Sequence, residues 1–248
     1  MTAPMLTAQT VTVVALAGVL GLPVGRHLRR VMGRVRRPPP AKFPVVEAAT
    51  GLFFAVVAWW AVTGPAAALL GGPGASGPAA VGAWLLLVAC LYLAAVSVVL
   101  TVIDLDTHTL PDRVVLPSYL IGGALLTAAA LVQADFGRLL GAALGLVLLW
   151  SLYFLLAVLS PAGMGYGDVK LAGLLGLYLG WLGWGPLVVG AAGAFVLGGS
   201  FAIVLLTTRR LKRTAGIPFG PWMLAGAWVG VLAGPALWEI YLVAVMSA

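Results

Sequence analysis

Apolar stretches long enough to cross a bilayer follow one another through almost the whole chain, and few folds can accommodate that. A spanning helix needs about 20 mostly apolar residues. Candidate spans cover about Thr7–Val24, Val45–Val62, Val81–Ile103, Val114–Val132 and Leu139–Leu159. A further stretch, Val169–Leu206, is too long for one span; Gly183, Gly185 and Pro186 divide it into a short sixth and a seventh. The eighth covers about Pro218–Val245, with Pro235 expected to kink it. Of 248 residues, 62% are apolar and 8% are charged, whereas an ordinary soluble domain has roughly 25% charged. A water-soluble fold of this size could neither hide that apolar surface nor coat itself with charge, and the chain is too apolar for disorder. Backbone groups in lipid must be satisfied internally. The expected class is therefore all-α, a polytopic membrane protein of about eight transmembrane helices.

The basic residues support this count. With eight spans, alternate loops face alternate sides of the membrane. One side receives Arg26, Arg29, Arg30, Arg34, Arg36, Arg37, Lys42, Arg113, Lys170, Arg209, Arg210, Lys212 and Arg213, which is thirteen of the fourteen basic residues; the other receives only Arg138. The positive-inside rule makes the rich side cytoplasmic and places both termini outside. No basic residue precedes the first apolar run, so that run is read as a retained N-out anchor, not a cleaved signal. Residues 1–248 are read as one integral membrane domain. Within it, 26–43 form a short basic cytoplasmic loop, stiffened by Pro38–Pro40 and lying against anionic headgroups. The net charge of +7 thus concerns membrane sidedness, and no nucleic-acid partner is expected.

Seven acidic residues remain to be placed. Asp135 and Glu239 fall at outer turns or ends, while Glu47, Asp104, Asp106, Asp112 and Asp168 fall at cytoplasmic ends of spans. Ionisable groups at membrane depth are costly and tend to mark function. Two clusters hold them. The first, TVIDLDTHTLPD, runs from Thr101 to Asp112, with Asp104 deepest, Asp106 expected in a solvated loop, and Asp112 read equally as a helix-opening charge. The second, GMGYGDVK, runs from Gly163 to Lys170. Its glycines, Gly165 and Gly167 among them, permit positive φ or close approach of another backbone, and Asp168 opens the sixth span. Lys170 is expected to reach the headgroups, the alternative being that its charge acts on a neighbouring Asp. Asp104 and Asp168 share one face of the membrane at matching depth. If they meet, they form a carboxyl pair that shares a proton, one member acting as general base on water and the other as general acid. His27 and His108 are too few and too far apart for a zinc site, and the single Cys90 excludes a Cys-rich one or a disulfide framework. No metal is expected.

At these residues the chain resembles the type IV prepilin peptidase family of membrane aspartic proteases. The resembling blocks are IDLDTHTLPD, GYGDVKLAG, IPFGPWMLAGA from Ile217 and, more weakly, FPVVEAATGLFF from Phe43. The resemblance implies that Asp104 and Asp168 are catalytic, with Asp112, Gly165, Gly167 and Lys170 supporting or binding substrate. It implies cleavage of a prepilin or pseudopilin, after a basic leader and before an apolar helix, at the cytoplasmic face of the cell membrane. Many members also carry two CxxC pairs that bind zinc in the first cytoplasmic loop, and N-methylate the new N-terminus with S-adenosylmethionine. That loop has no cysteine here. Proteolysis is expected to need no cofactor, and S-adenosylmethionine matters only if methyl transfer is retained, which the resemblance leaves open. The rival readings are a proton- or cation-coupled transporter using the same two acids, a presenilin-type protease, and a non-catalytic assembly subunit.

Overall fold

The helical pattern is realised in a computed structural model of the chain, which describes residues 8–35, 44–63, 76–160, 164–208 and 218–247. Among these residues there are eight helices: α1 (Ala8–Val35), α2 (Val45–Thr63), α3 (Pro78–Thr107), α4 (Asp112–Val132), α5 (Phe136–Leu159), α6 (Tyr166–Leu182), α7 (Trp184–Thr207) and α8 (Gly220–Met246). No strand occurs among the described residues. Arg36, Arg37, Pro38–Pro40, Lys42, Gly163, Arg209, Arg210, Lys212, Arg213 and Ile217 lie outside them.

Seven helices are long and apolar enough to cross a membrane. The exception is α6, whose 17 residues fall short of the others. The expected sixth span is thus present as a helix but not as a full-length one. The break after it falls at Gly183, where φ is +123°, a conformation open to glycine and strained for other residues. Pro186 sits in the first turn of α7, where its missing N–H costs nothing. α8 continues through Pro235.

Two helices run further than expected. α1 passes Pro23 and continues to Val35, so Arg26, Arg29 and Arg30 ride on a helix and not in a loop. Arg, Leu and Met, which follow Val24, are good helix formers. α3 takes both Asp104 and Asp106 into its last turns, correcting the loop placement of Asp106. It ends at His108, whose φ is +52° and whose N–H closes on the Asp104 carbonyl at 2.8 Å.

The chain forms two compact units. One comprises Met1–Val102 and Ile121–Asp135. Within it, α1 lies directly on α2: a Cβ added at Gly21 would come 2.6 Å from the Gly51 Cα, and one at Gly25 would come 2.7 Å from the Glu47 Cα. Lipid offers no hydrophobic drive between helices, so small residues that let backbones touch supply the packing. The approach buries Glu47, whose side chain is 6% exposed, and Arg29 Nε donates to its Oε1 at 2.9 Å. Glu47 Oε2 has no hydrogen-bond partner among the described residues.

The other unit comprises Ile103–Leu120 and Phe136–Ala248. Its innermost helix is α6, with Leu171, Ala172, Leu174, Leu175, Tyr178, Leu179 and Trp181 all buried. A Cβ at Gly176 or Gly180 would land on the carbonyl oxygens of Gly145 and Gly141 on α5. α7 and α8 pair by the same device, Gly226 and Gly230 meeting the backbone at Ala194 and Gly190. α5 leaves Leu144, Val147, Leu148, Leu155 and Val158 exposed, as a lipid-facing surface requires. Arg138 stacks its guanidinium 4.6 Å from the Trp181 ring.

The half-paired Glu47 makes a prediction. Arg29→Met leaves a buried carboxylate without its cation and should cost about 3 kcal/mol. Adding Glu47→Met should recover most of that loss in thermal melts of the detergent-solubilised protein. A double variant less stable than Arg29→Met alone would contradict this account.

Candidate active site

The acidic clusters converge within the second unit. Asp104 is 4% exposed, and Asp106, two residues on, is exposed. Successive helical residues turn by about 100°, so the two acids point to nearly opposite sides of α3. The Asp104 Oδ2 accepts the Gly220 N–H from the start of α8 at 3.1 Å. Asp168, in the first turn of α6, accepts the Gly165 N–H at its own Oδ2, also at 3.1 Å. The Asp168 N–H returns to the Gly165 carbonyl at 3.0 Å, which closes the turn.

Leu110 links the two halves of the site. It is buried. A Cβ at Gly167 would stand 3.0 Å from the Leu110 Cβ, and one at Gly220 would stand 3.3 Å from its Cδ2. One leucine therefore touches both the residue preceding Asp168 and the residue bonded to Asp104. Asp168 lies within electrostatic reach of Asp104. The pair expected from the sequence is thus brought together. Each member lies in a terminal turn of its helix.

The supporting residues divide. Asp112 and Lys170 form an ion pair, the Lys170 Nζ donating to both carboxylate oxygens at 2.8 Å. This corrects the expectation that Lys170 reaches for headgroups. The first turns of α4 and α6 lie side by side, so a carboxylate is nearer than the lipid. The ammonium also sits 4.9 Å from the Tyr166 ring. The Tyr119 hydroxyl donates to the Lys170 carbonyl, giving α4 a second tie to α6. Gly165 is extended, with φ −81°, and its amide is already engaged by Asp168. Neither left-handed freedom nor a free donor explains the glycine there, and its added Cβ would meet the Asp168 Oδ2 at 3.7 Å and the Gly167 nitrogen at 4.0 Å, both ordinary contacts. Gly167 is the position where close approach is required. Among the described residues no group of His, Cys, Asp and Glu side chains could hold a metal ion.

Residues 91–207 match the model of the type IV leader peptidase family. The match covers just under half of the chain. Among its relatives, the prepilin leader peptidase/N-methyltransferase of Aeromonas salmonicida (strain A449) is 35% identical over 203 residues, covering 82% of this chain and 62% of the relative. The protein of the same name from Aeromonas hydrophila is 34% identical, covering 83% and 63%. That of Stutzerimonas stutzeri is 33% identical, covering 81% and 62%. The chain therefore spans less than two thirds of the length of these relatives. No solved structure matches.

The family match takes in Asp104, Asp112, Asp168 and Lys170 and stops short of Gly220. Gly220, Leu110 and Tyr119 were not singled out from the sequence. Tyr119 and Leu110 look like any apolar-span residues, and only the folded helices show what they touch. Gly220 sits in the IPFGP block, which carried a resemblance but no role.

The two glycines should behave differently. Gly165→Ala should melt within about 0.5 kcal/mol of the parent, since the added Cβ is exposed, meets ordinary contacts and leaves the backbone bonds to Asp168 in place. Gly167→Val, forced against Leu110, should cost about 1–3 kcal/mol as overpacking does. Equal effects in thermal melts would contradict the assigned geometry.

Proposed function

We propose that this protein is a prepilin leader peptidase of the aspartic type, in which Asp104 and Asp168 divide the acid and base work. One observation carries the reading: two carboxyls 64 positions apart in the chain lie within electrostatic reach of each other, and each is held through Oδ2 by a glycine amide. The relatives' shared name supports the substrate class, a prepilin or pseudopilin.

Like charges at short range resist joint ionisation, so the pair holds one proton. The ionised carboxylate takes a proton from water as the water oxygen attacks the scissile carbonyl. The protonated partner gives its proton to the carbonyl oxygen. Collapse of the tetrahedral intermediate breaks the C–N bond: the carboxyl that took the water proton gives it to the departing nitrogen, and a hydroxyl of the intermediate returns its proton to the other carboxylate. One water is consumed, a carboxyl and an amine are released, and the pair again holds one proton. No covalent intermediate forms.

The expected sidedness fits this chemistry. A basic leader stays on the cytoplasmic side while the apolar helix behind it inserts, so the scissile bond comes level with the terminal turns of α3 and α6. The transporter alternative draws no support from the relatives' names, and both acids lie in terminal turns rather than on broken mid-span helices. The proposal assigns proteolysis to this chain. The relatives' second named activity, N-methyl transfer, would require S-adenosylmethionine.

Cleavage of a pilin-like substrate with a basic leader, by the purified protein, tests the reading. Asp104→Asn and Asp168→Asn should each lower kcat by about 10³-fold or more, in the range that loss of an acid–base group produces. Asp106→Asn should keep most of its activity. Wild-type cleavage by either of the first two variants would end the proposal, and an inert Asp106→Asn would reassign the first aspartate. The mass of the mature N-terminus, with and without S-adenosylmethionine, decides the second activity: a product heavier by one methyl only with S-adenosylmethionine shows methyl transfer, and an unchanged mass shows proteolysis alone.

A further inference from the structure

The start of α8 takes no part in the proton transfers above, yet it donates a hydrogen bond to the Asp104 carboxyl. We infer that Gly220 is a positioning residue for Asp104: its amide holds the carboxyl in register, and its missing side chain is what lets the carboxyl in. The inference rests on the peptidase reading of the Asp pair.

The first turn of a helix leaves backbone donors without intrahelical partners. In α8 they are disposed of unequally. Pro221 has no N–H. Trp222 and Met223 both donate to the Phe219 carbonyl, at 3.0 and 3.1 Å. The Gly220 amide donates instead to the Asp104 Oδ2 at 3.1 Å, in a buried setting. Asp104 thus caps α8 across a separation of 116 residues. The fit leaves no room. A Cβ at Gly220 would lie 2.6 Å from the Asp104 Oδ2 and 3.2 Å from its Cγ, well inside van der Waals contact.

The backbone cannot easily retreat, because the preceding residue is anchored. The Phe219 ring packs 5.7 Å from Phe195 and 6.3 Å from Tyr153, and a Cβ at Gly198 would press on its edge at 2.8 Å. Tyr153 in turn lies within electrostatic reach of Asp168. One aromatic cluster, drawn from α5, α7 and the start of α8, therefore fixes the amide that orients Asp104. An alanine at 220 must displace the carboxyl, because the Phe219 side is closed.

The test uses the full chain in detergent, with the pilin-like substrate of the preceding section, and four variants: Gly220→Ala, Asp104→Asn, Asp104→Ala and the double Gly220→Ala/Asp104→Ala. Gly199→Ala is the control, since an added Cβ there meets nothing within 4 Å. Gly220→Ala should lower kcat about 100-fold, the loss a displacement of about 1 Å produces, with KM unchanged; Gly199→Ala should match the parent. Gly220→Ala should also lower the melting temperature in the parent background and leave it unchanged in the Asp104→Ala background, where the obstructing carboxyl is gone. If Asp104→Asn is inert while Gly220→Ala cleaves at the parental rate, the positioning role is overturned and the peptidase reading stands. If Asp104→Asn itself cleaves normally, the peptidase reading fails. If Gly220→Ala does not fold in either background, the glycine serves the helix packing and not Asp104, and the inference is overturned.

Discussion

A carboxyl buried near the end of a membrane helix must be given a hydrogen bond or it costs several kcal/mol. Asp104 is buried, and its partner is a main-chain amide at the opening of a helix more than a hundred residues later. Much of the second unit follows from satisfying that carboxyl. α8 has to begin where α3 ends, its opening residue has to be a glycine to admit the carboxyl, and the residue before it has to be held firmly enough that the amide stays aimed. The rings of Phe219, Tyr153 and Phe195 supply that hold. Leu110, on the link between α3 and α4, packs against the same glycine and against Gly167 beside the second aspartate.

The polar residues around the pair act at different strengths. The bond between Lys170 and Asp112 is bidentate, but the Asp112 side chain is half exposed, so its contribution to stability is about 1 kcal/mol or less. Its value is geometric, since it sets the first turn of α4 beside that of α6. The Tyr119 hydroxyl, which reaches the Lys170 carbonyl through space that Gly173 leaves open, reinforces the same alignment from within the helix pair. Asp168 needs no distant partner for its amide bond, because its own turn provides one.

Glycine has two separate tasks here. Along α1–α2, α5–α6 and α7–α8 it brings backbones into contact, which stands in for the hydrophobic drive that lipid removes. At 167 and 220 it clears space for Leu110 and Asp104. Gly183, at the break between α6 and α7, and Gly77, just before α3, use the positive-φ freedom that glycine permits.

Spans, their order and the clustering of acids at one set of helix ends could all be read from the residues, because bilayer thickness and the cost of charge in lipid act on local stretches of chain. Helix ends were less legible. α1 and α3 outran their apolar runs, since a helix stops where backbone geometry stops it, as at His108, and not where hydropathy falls. That Asp104 closes an apolar run was visible from its place after Ile103; that it is buried came from the fold. The pairing of Lys170 with Asp112 and the use of the Gly220 amide were not, because each depends on which helix ends come to lie side by side. Local composition decided that this chain folds as helices fit for a membrane and carries an acid in a terminal turn of each of two of them. Tertiary packing decided what each acid touches, because a hydrogen bond across 116 residues has no local trace in the residues that make it.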